Sequence, residues 1–264
     1  MLKKIKSDTQ LYANPDMSWW FIMTGLEEIN GLELLDTSFT TNMKGMFAMT
    51  GAFSYSDITL DLSNFDTSNV TNMSRMFSLT GASGENFELD VSRFDTSSVT
   101  DMSYMFEMTG FYGQNFLLDL SNFDTSNVNN MSYMFVETGY FNSKFLLDLG
   151  NFNTSNVTDM SGMFERAGYN STMFTLDVSN FDTSNVVDMC RMFYQTGYKS
   201  NNFITSLTIK NQNTTSYNDM FYGVATKSGS QFTVNYTSET SDLVDKMIAT
   251  KVDTSNVVKG VQVD

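Results

Sequence analysis

The sequence contains no histidine, one cysteine (Cys190) and one proline. Without histidine the chain lacks the commonest general base and the commonest metal ligand. A lone cysteine excludes an internal disulfide and a thiolate metal cluster. There is also no Gly-rich phosphate loop and no Ser nucleophile elbow. We therefore expect a protein that is not an enzyme. A carboxylate-dependent hydrolase is the catalytic alternative, although no carboxylate pair is distinguished from the others.

Positive charge is scarce as well. The chain has 15 basic and 30 acidic residues among 264, a net charge of −15. Nucleic acids and anionic membranes both require a basic face, so neither is an expected partner. No apolar run reaches spanning length, so we expect no membrane insertion. The opening "MLKKIKSDTQ" is basic, but no apolar stretch follows it, which predicts no signal peptide in this chain.

One short segment is repeated along the chain. "LDLSNFDTSNVTNMSRMF", from Leu60 to Phe77, returns in near copies every 29 residues. The phenylalanine after the first turn marks the period, at Phe65, Phe94, Phe123, Phe152 and Phe181. "MSWWF", ending at Phe21, resembles a shortened first copy, and "NDMFYG", around Phe221, a degenerate last one. A fixed period between irregular ends is typical of a capped solenoid.

Each unit predicts a strand, a turn, a short helix and a loop. In "FELDV" the apolar residues alternate, so Phe87 and Leu89 should point inward and Asp90 outward. In "VTNMSRMF" the apolar residues follow a helical stripe. These are Val70, Met73, Met76 and Phe77. The glycine that follows, such as Gly81, suits a left-handed helix C-cap.

These patterns predict an α/β solenoid of the leucine-rich-repeat type, with about seven coils and capped ends. Parallel strands form a sheet on one side, and short helices lie on the opposite side. Residues 1–31 form an N-terminal cap and partial repeat in which Trp19 and Trp20 close the core. Residues 32–229 form the solenoid of 29-residue units. Residues 230–264 form a C-terminal cap of strand, helix and strand.

The repeated unit resembles the BspA-like leucine-rich repeats of bacterial surface proteins, also found in mycoplasma and lactobacillus lipoproteins. The resemblance covers roughly residues 10–225 and extends over about eighteen positions of each unit. It implies a curved parallel-sheet solenoid displayed outside the cell, which engages molecules of a host or a neighbouring cell. It supplies no catalytic residues. The units of this chain are longer than is usual in that family, and the extra residues fall in the loop after Met-Phe.

An acidic row is the first candidate site. It should lie on the outward face of successive strands, about 4.8 Å apart. Its members are Asp61, Asp90, Asp119, Asp148 and Asp177. One interpretation is a weak Ca²⁺ site or a site for a basic partner. The alternative is a solvated face, with each Asp bonded to a nearby Ser or to backbone. Leu117 and Leu146 form a small apolar patch beside the row.

A second polar column follows five residues later in each unit. It contains Asp66, Asp95, Asp124, Asn153 and Asp182. Because Asn replaces Asp once, we expect Asx-turns, which need a carbonyl oxygen but no charge. The Thr and Ser that follow are interpreted as turn and helix N-cap residues.

Aromatic residues in the loops are the third candidate site. Phe111, Tyr140, Tyr169 and Tyr198 each follow the loop glycine. They predict either an interaction surface or apolar contacts that complete the helix ends.

The function expected is therefore a non-enzymatic, adhesin-like repeat protein on the cell surface or outside the cell. It would bind an extracellular protein or glycan of a host or neighbouring cell. The alternative is a structural spacer, for example in a fibre of a cell surface or phage particle.

Overall fold

The structure, a computed structural model, describes residues 10–23, 31–53, 60–85, 87–114 and 116–263. It is a parallel β-solenoid of about nine turns. One bridge column runs through eight coils, at Asp16, Asn42, Asn72, Asp101, Asn130, Asp159, Asp188 and Ser216. The number of turns, about nine, exceeds the seven coils predicted because the divergent ends of the chain complete turns of their own. The solenoid expectation is confirmed.

Every named strand pairs in parallel with a strand of a neighbouring coil. The strands are β1 (Leu11–Tyr12), β2 (Leu35–Asp36), β3 (Lys144–Leu147), β4 (Met173–Leu176), β5 (Ile204–Ile209), β6 (Gln231–Tyr236) and β7 (Val257–Gln262). They form the pairs β1–β2 and β3–β4 and the sheet β5–β6–β7. In the coils between, Glu88 and Leu117 continue the ladder as an isolated parallel bridge.

The predicted alternation of the strands is confirmed. Phe87, Leu89 and Val91 are buried, whereas Glu88 and Asp90 are exposed. The same alternation recurs in β3 and β4, where Phe145 and Phe174 point inward. The strands therefore present one outward face, called here the strand face, on which equivalent residues of successive coils lie in columns.

The predicted helix after each strand is wrong, because that segment is a run of turns. Met73, Arg75 and Phe77 donate their N–H groups to Asp101, Ser103 and Met105 of the next coil, at 2.9–3.0 Å. The residues between them bond three positions back, as Met76 does to the carbonyl of Met73 at 3.1 Å. In an α-helix these N–H groups would donate to carbonyls of the same segment, four residues earlier. The turn run uses half of them to join coils.

The backbone of the turn run confirms this difference. Arg75 and Leu79 have φ of +59° and +57°, values outside a right-handed helix. The apolar stripe is nonetheless buried, since Val70, Met73, Met76 and Phe77 are all inaccessible to solvent. Gly139 takes the predicted left-handed conformation, with φ of +57°. A Cβ there would lie 2.9 Å from the ring of Phe145, so the position needs glycine for space as well as for its conformation.

Two columns of phenylalanine form the axis of the core. The longer column comprises Phe21, Phe47, Phe77, Phe106, Phe135, Phe164, Phe193 and Phe221. Its near-parallel rings have centroids 5.4–6.0 Å apart. The shorter column runs through Phe87, Phe116, Phe145, Phe174 and Phe203. Stacking buries rings that no single coil could cover.

A buried threonine in each turn links its coil to the next, a role the sequence interpretation assigned to local turns alone. The Oγ1 of Thr125 accepts the N–H of Asn153 at 2.8 Å and donates to the carbonyl of Asn153 at 2.9 Å. The same pair of hydrogen bonds links five successive pairs of coils, through Thr37, Thr67, Thr96, Thr125 and Thr154.

The C-terminal end contains the predicted strand, helix and strand. Helix α1 (Ser241–Ile248) lies between β6 and β7 in the sequence and contacts both. Val244 and Met247 are fully buried. The boundaries at residues 31/32 and 229/230 stay predictions.

The N-terminal end differs from expectation. Trp19 and Trp20 do not close the core; the side chains buried beside them are those of Met17 and Phe21. Both tryptophans are exposed, and the ring of Trp19 lies over Gly45. The rest of the predicted cap, residues 1–9 and 24–30, lies outside the described residues.

We predict that Thr125→Val destabilises the fold strongly. Val keeps the shape but leaves the N–H and carbonyl of Asn153 without their hydroxyl partner in a part-buried site. The expected cost is about 1–3 kcal/mol. Thr125→Ser, which retains the hydroxyl, is the matched control and should lose less. Urea unfolding measures both. A Val variant as stable as the Ser variant would show that the hydroxyl bridge contributes little.

Candidate functional site

The acidic row lies on the strand face as predicted, with all five carboxylates exposed. Each one closes an Asx-turn, because its Oδ1 accepts the backbone N–H two residues later at 2.9–3.1 Å. Ser63 adds its hydroxyl to Asp61 at 2.6 Å. The row is therefore part of the turn architecture.

These hydrogen bonds also set the titration of the row. Bonds from Ser63 hold the pKa of Asp61 below its ordinary value, and repulsion from Asp90 opposes this only weakly. Ser92 and Ser121 lower the pKa of Asp90 and Asp119 in the same way. A carboxylate that accepts N–H and O–H bonds favours its charged form.

The weak calcium site stays a prediction. Within the described ranges, no three acidic or cysteine side chains lie close enough to hold a metal ion. Calcium takes six to eight oxygen ligands, so a row of separate carboxylates would hold the ion through few protein oxygens.

The second column consists of the Asx-turns predicted for it. Asp66 and Asn153 each accept the N–H and the hydroxyl of the Ser two residues later. A third column of the same kind was not recognised in the sequence: Asn72 and Asp101 accept the N–H groups of Ser74 and Ser103. The exchange of Asn and Asp between units was the available signal.

An exposed apolar patch borders the acidic row. Leu117 is 75% exposed, Leu146 56%, Met173 59% and Ile204 70%. Leu117 and Leu146 were noted in the sequence, whereas Met173 and Ile204 were missed although both lie at outward positions of their strands. We call these four residues the strand-face patch. Shallow hollows lie beside it, one of about 240 Å³ between Asp119 and Asp148, and one of about 610 Å³ around Asp177 and Ile204.

The loop aromatics form a ladder. The rings of Phe111, Tyr140, Tyr169 and Tyr198 stack in sequence, with centroids 4.6, 4.9 and 5.0 Å apart. All four are half-buried, and the Nζ of Lys227 lies 5.2 Å from the ring of Tyr198. Stacking covers both faces of Tyr140 and Tyr169, so these rings offer a ligand only their edges and hydroxyls.

Charged and aromatic residues on the turn runs also bond from coil to coil. Arg75 forms an ion pair with Glu107 at 2.8 Å and lies 3.8 Å above the ring of Tyr104. Arg166 and Glu137 pair at 3.0 Å. These side chains satisfy one another, which indicates a structural role for this side of the solenoid.

We predict that charge in the acidic row is dispensable for folding but makes the fold sensitive to acid. Because the folded-state pKa values of Asp61, Asp90 and Asp119 are lowered, their stabilisation is present above the unfolded pKa, near 4, and is lost as pH falls through the folded values. The triple change to Asn keeps the Oδ1 acceptors. It should fold, and should lose less stability than the wild type between pH 7 and pH 3.

Urea midpoints at the two pH values provide the measurement. The triple change to Ala is the control, since it removes the acceptors and should destabilise the protein at both pH values. Equal acid sensitivity in the wild type and the Asn variant would contradict the prediction.

One family relationship emerges from comparisons with known proteins. No helix in the described residues is both long and apolar enough to cross a membrane. No curated protein and no solved structure matches the chain. A family profile described as "Mycoplasma protein of unknown function, DUF285" matches residues 15–144 and again 109–236, two overlapping stretches of the solenoid. The chain therefore belongs to this Mycoplasma protein family, DUF285.

Proposed function

We propose that the chain is a non-enzymatic, surface-displayed repeat protein that binds a partner protein through its strand face. The observation that carries this proposal is the strand-face patch. Four apolar side chains occupy outward positions of the strand face, between half and three-quarters exposed. Leu117 and Leu146 lie in adjacent coils, and the polar Thr175 separates them from Ile204. Exposed apolar patches with a polar border are typical of protein interaction sites.

Charge adds to the recognition. Asp119, Asp148 and Asp177 border the patch, and the chain as a whole carries −15. A matching partner presents apolar side chains beside Lys or Arg. Its encounter with the strand face is accelerated by opposite charge and slowed by salt.

The resemblance to BspA-like surface proteins supports display outside the cell and an adhesin-like role, with a protein of a host or neighbouring cell as partner. The absence of histidine and of a distinguished carboxylate pair supports a role without catalysis.

A structural spacer is the second candidate. The repeated threonine bridges and the continuous phenylalanine stack favour it, because they make a stiff rod whose length follows from the number of coils. A spacer does not need Leu117, Leu146 or Ile204 on a solvated face, where Thr175 fills the equivalent position of another coil.

We predict that changing Leu117, Leu146 and Ile204 together to Thr reduces partner binding at least tenfold without weakening the fold. Thr is the residue the repeat itself uses at Thr175, so the sheet is maintained. Binding of the labelled protein to cultured animal cells and to an array of extracellular proteins provides the measurement.

Val187→Thr is the matched control. Val187 is 43% exposed at a position where other coils have Thr, such as Thr158, and it lies away from the strand face. A second control changes Tyr140, Tyr169 and Tyr198 to Ala and tests whether the aromatic ladder contributes to partner binding. Undiminished binding by the triple Thr variant would contradict the proposal, and a wild type that binds neither cells nor array would favour the spacer.

A further inference from the structure

A second column of rings flanks the aromatic ladder and ends abruptly. Tyr112 stacks on Phe141 with centroids 5.1 Å apart. In the preceding coil the position equivalent to Tyr112 is Ser83. In the same coil Ala82 occupies the position equivalent to Phe111 of the aromatic ladder. Among the described residues, no ring stacks on the other face of Tyr112, which is 51% exposed. The column therefore stops with one ring face open.

A hollow of about 520 Å³ lies at this end of the column. Among its lining residues are Ser83, Glu85, Tyr112 and Gln114. The Oγ of Ser83 donates to the carbonyl of Ala52 at 2.6 Å, which directs this small side chain toward the preceding coil. Backbone bonds hold the rim, since the N–H of Gln114 donates to the carbonyl of Glu85 at 3.1 Å.

The dimensions of the hollow suit a flat ring. Within each of the two columns the ring centroids repeat every 4.6–5.1 Å, with one ring of that column per coil. The coil of Ala82 and Ser83 has no ring at either position, so its level beside Tyr112 has room for one ring of a ligand. A six-membered ring placed there continues the existing stack and meets a preformed aromatic platform.

The chemistry of the lining selects among flat rings. The face of Tyr112 is electronegative and attracts C–H groups. Glu85 offers a carboxylate acceptor, and Gln114 offers both a donor and an acceptor. No Lys or Arg is among the described lining residues, and Glu85 repels anions. Neutral rings rich in hydroxyls match this set, because each hydroxyl both donates and accepts.

We propose that this hollow binds a neutral pyranose unit of a glycan. The C–H face of the sugar lies on Tyr112, and its hydroxyls bond to Glu85 and Gln114. The site is independent of the strand-face patch, so the chain carries one surface for a protein and a separate one for a sugar. For a single sugar we expect a Kd of about 1 mM, in the range typical of a ligand of this size.

The test titrates the full chain with the methyl glycosides of glucose, galactose, mannose and N-acetylglucosamine, followed by saturation-transfer NMR. Tyr112→Asn copies Asn170, the residue at the equivalent position two coils later. Ser83→Tyr fills the open level with a ring. We expect each change to weaken binding at least tenfold. Asn170→Tyr is the matched control, since it adds a ring to the same column and leaves the hollow open.

The expected result is saturation of C–H protons on one sugar face, lost in Tyr112→Asn and Ser83→Tyr and kept in Asn170→Tyr. Binding that persists in Tyr112→Asn would overturn the proposal. So would a wild type that binds none of the four glycosides, or one that binds only an aromatic probe such as indole. The strand-face variant with Leu117, Leu146 and Ile204 changed to Thr should still bind the sugar, which separates this site from the proposed protein site.

Discussion

Hydrogen bonds between coils are the constraint on which the rest of this structure depends. In the turn run every second N–H points to the next coil, as from Arg75 to Ser103, and the Oγ1 of Thr67 bridges both backbone groups of Asp95. This requirement imposes the positive φ values, since a helix would keep those donors to itself. It also fixes the register between coils. Phenylalanine rings can therefore stack along the axis, and outward side chains line up in columns.

The sequence predicted the solenoid because its two strongest signals, the 29-residue period and the strand alternation, are independent of the turn geometry. The helix prediction failed for a physical reason: an apolar spacing of three and four residues, as at Met73, Met76 and Phe77, is buried equally well by successive three-residue turns. The hydrogen bonds of Thr67 to the next coil could not be predicted from the sequence either. Its partner lies 28 residues away, and local preferences describe Thr67 only as a turn residue.

The candidate sites differ in how faithfully their positions repeat from unit to unit. Positions that repeat faithfully, such as Asp90 and Asp119, turned out to close turns, and their outward placement followed directly from the alternation. Positions where the copies disagree carry the exposed and open features. Ile204 adds an apolar side chain to the strand face, and Ser83 removes a ring from the aromatic columns. The sequence revealed these differences but not their neighbours, since contact between residues of different coils requires the register.

The central claim is that coils are joined by turn runs and not by stacked helices. Backbone NMR assignment tests it directly, through the Cα secondary shifts along the chain. For the residues that the structure describes, the account predicts one continuous α-helical run of shifts, over Ser241–Ile248, and no helical run at Val70–Phe77 or its copies. Helical shifts that recur every 29 residues would contradict it.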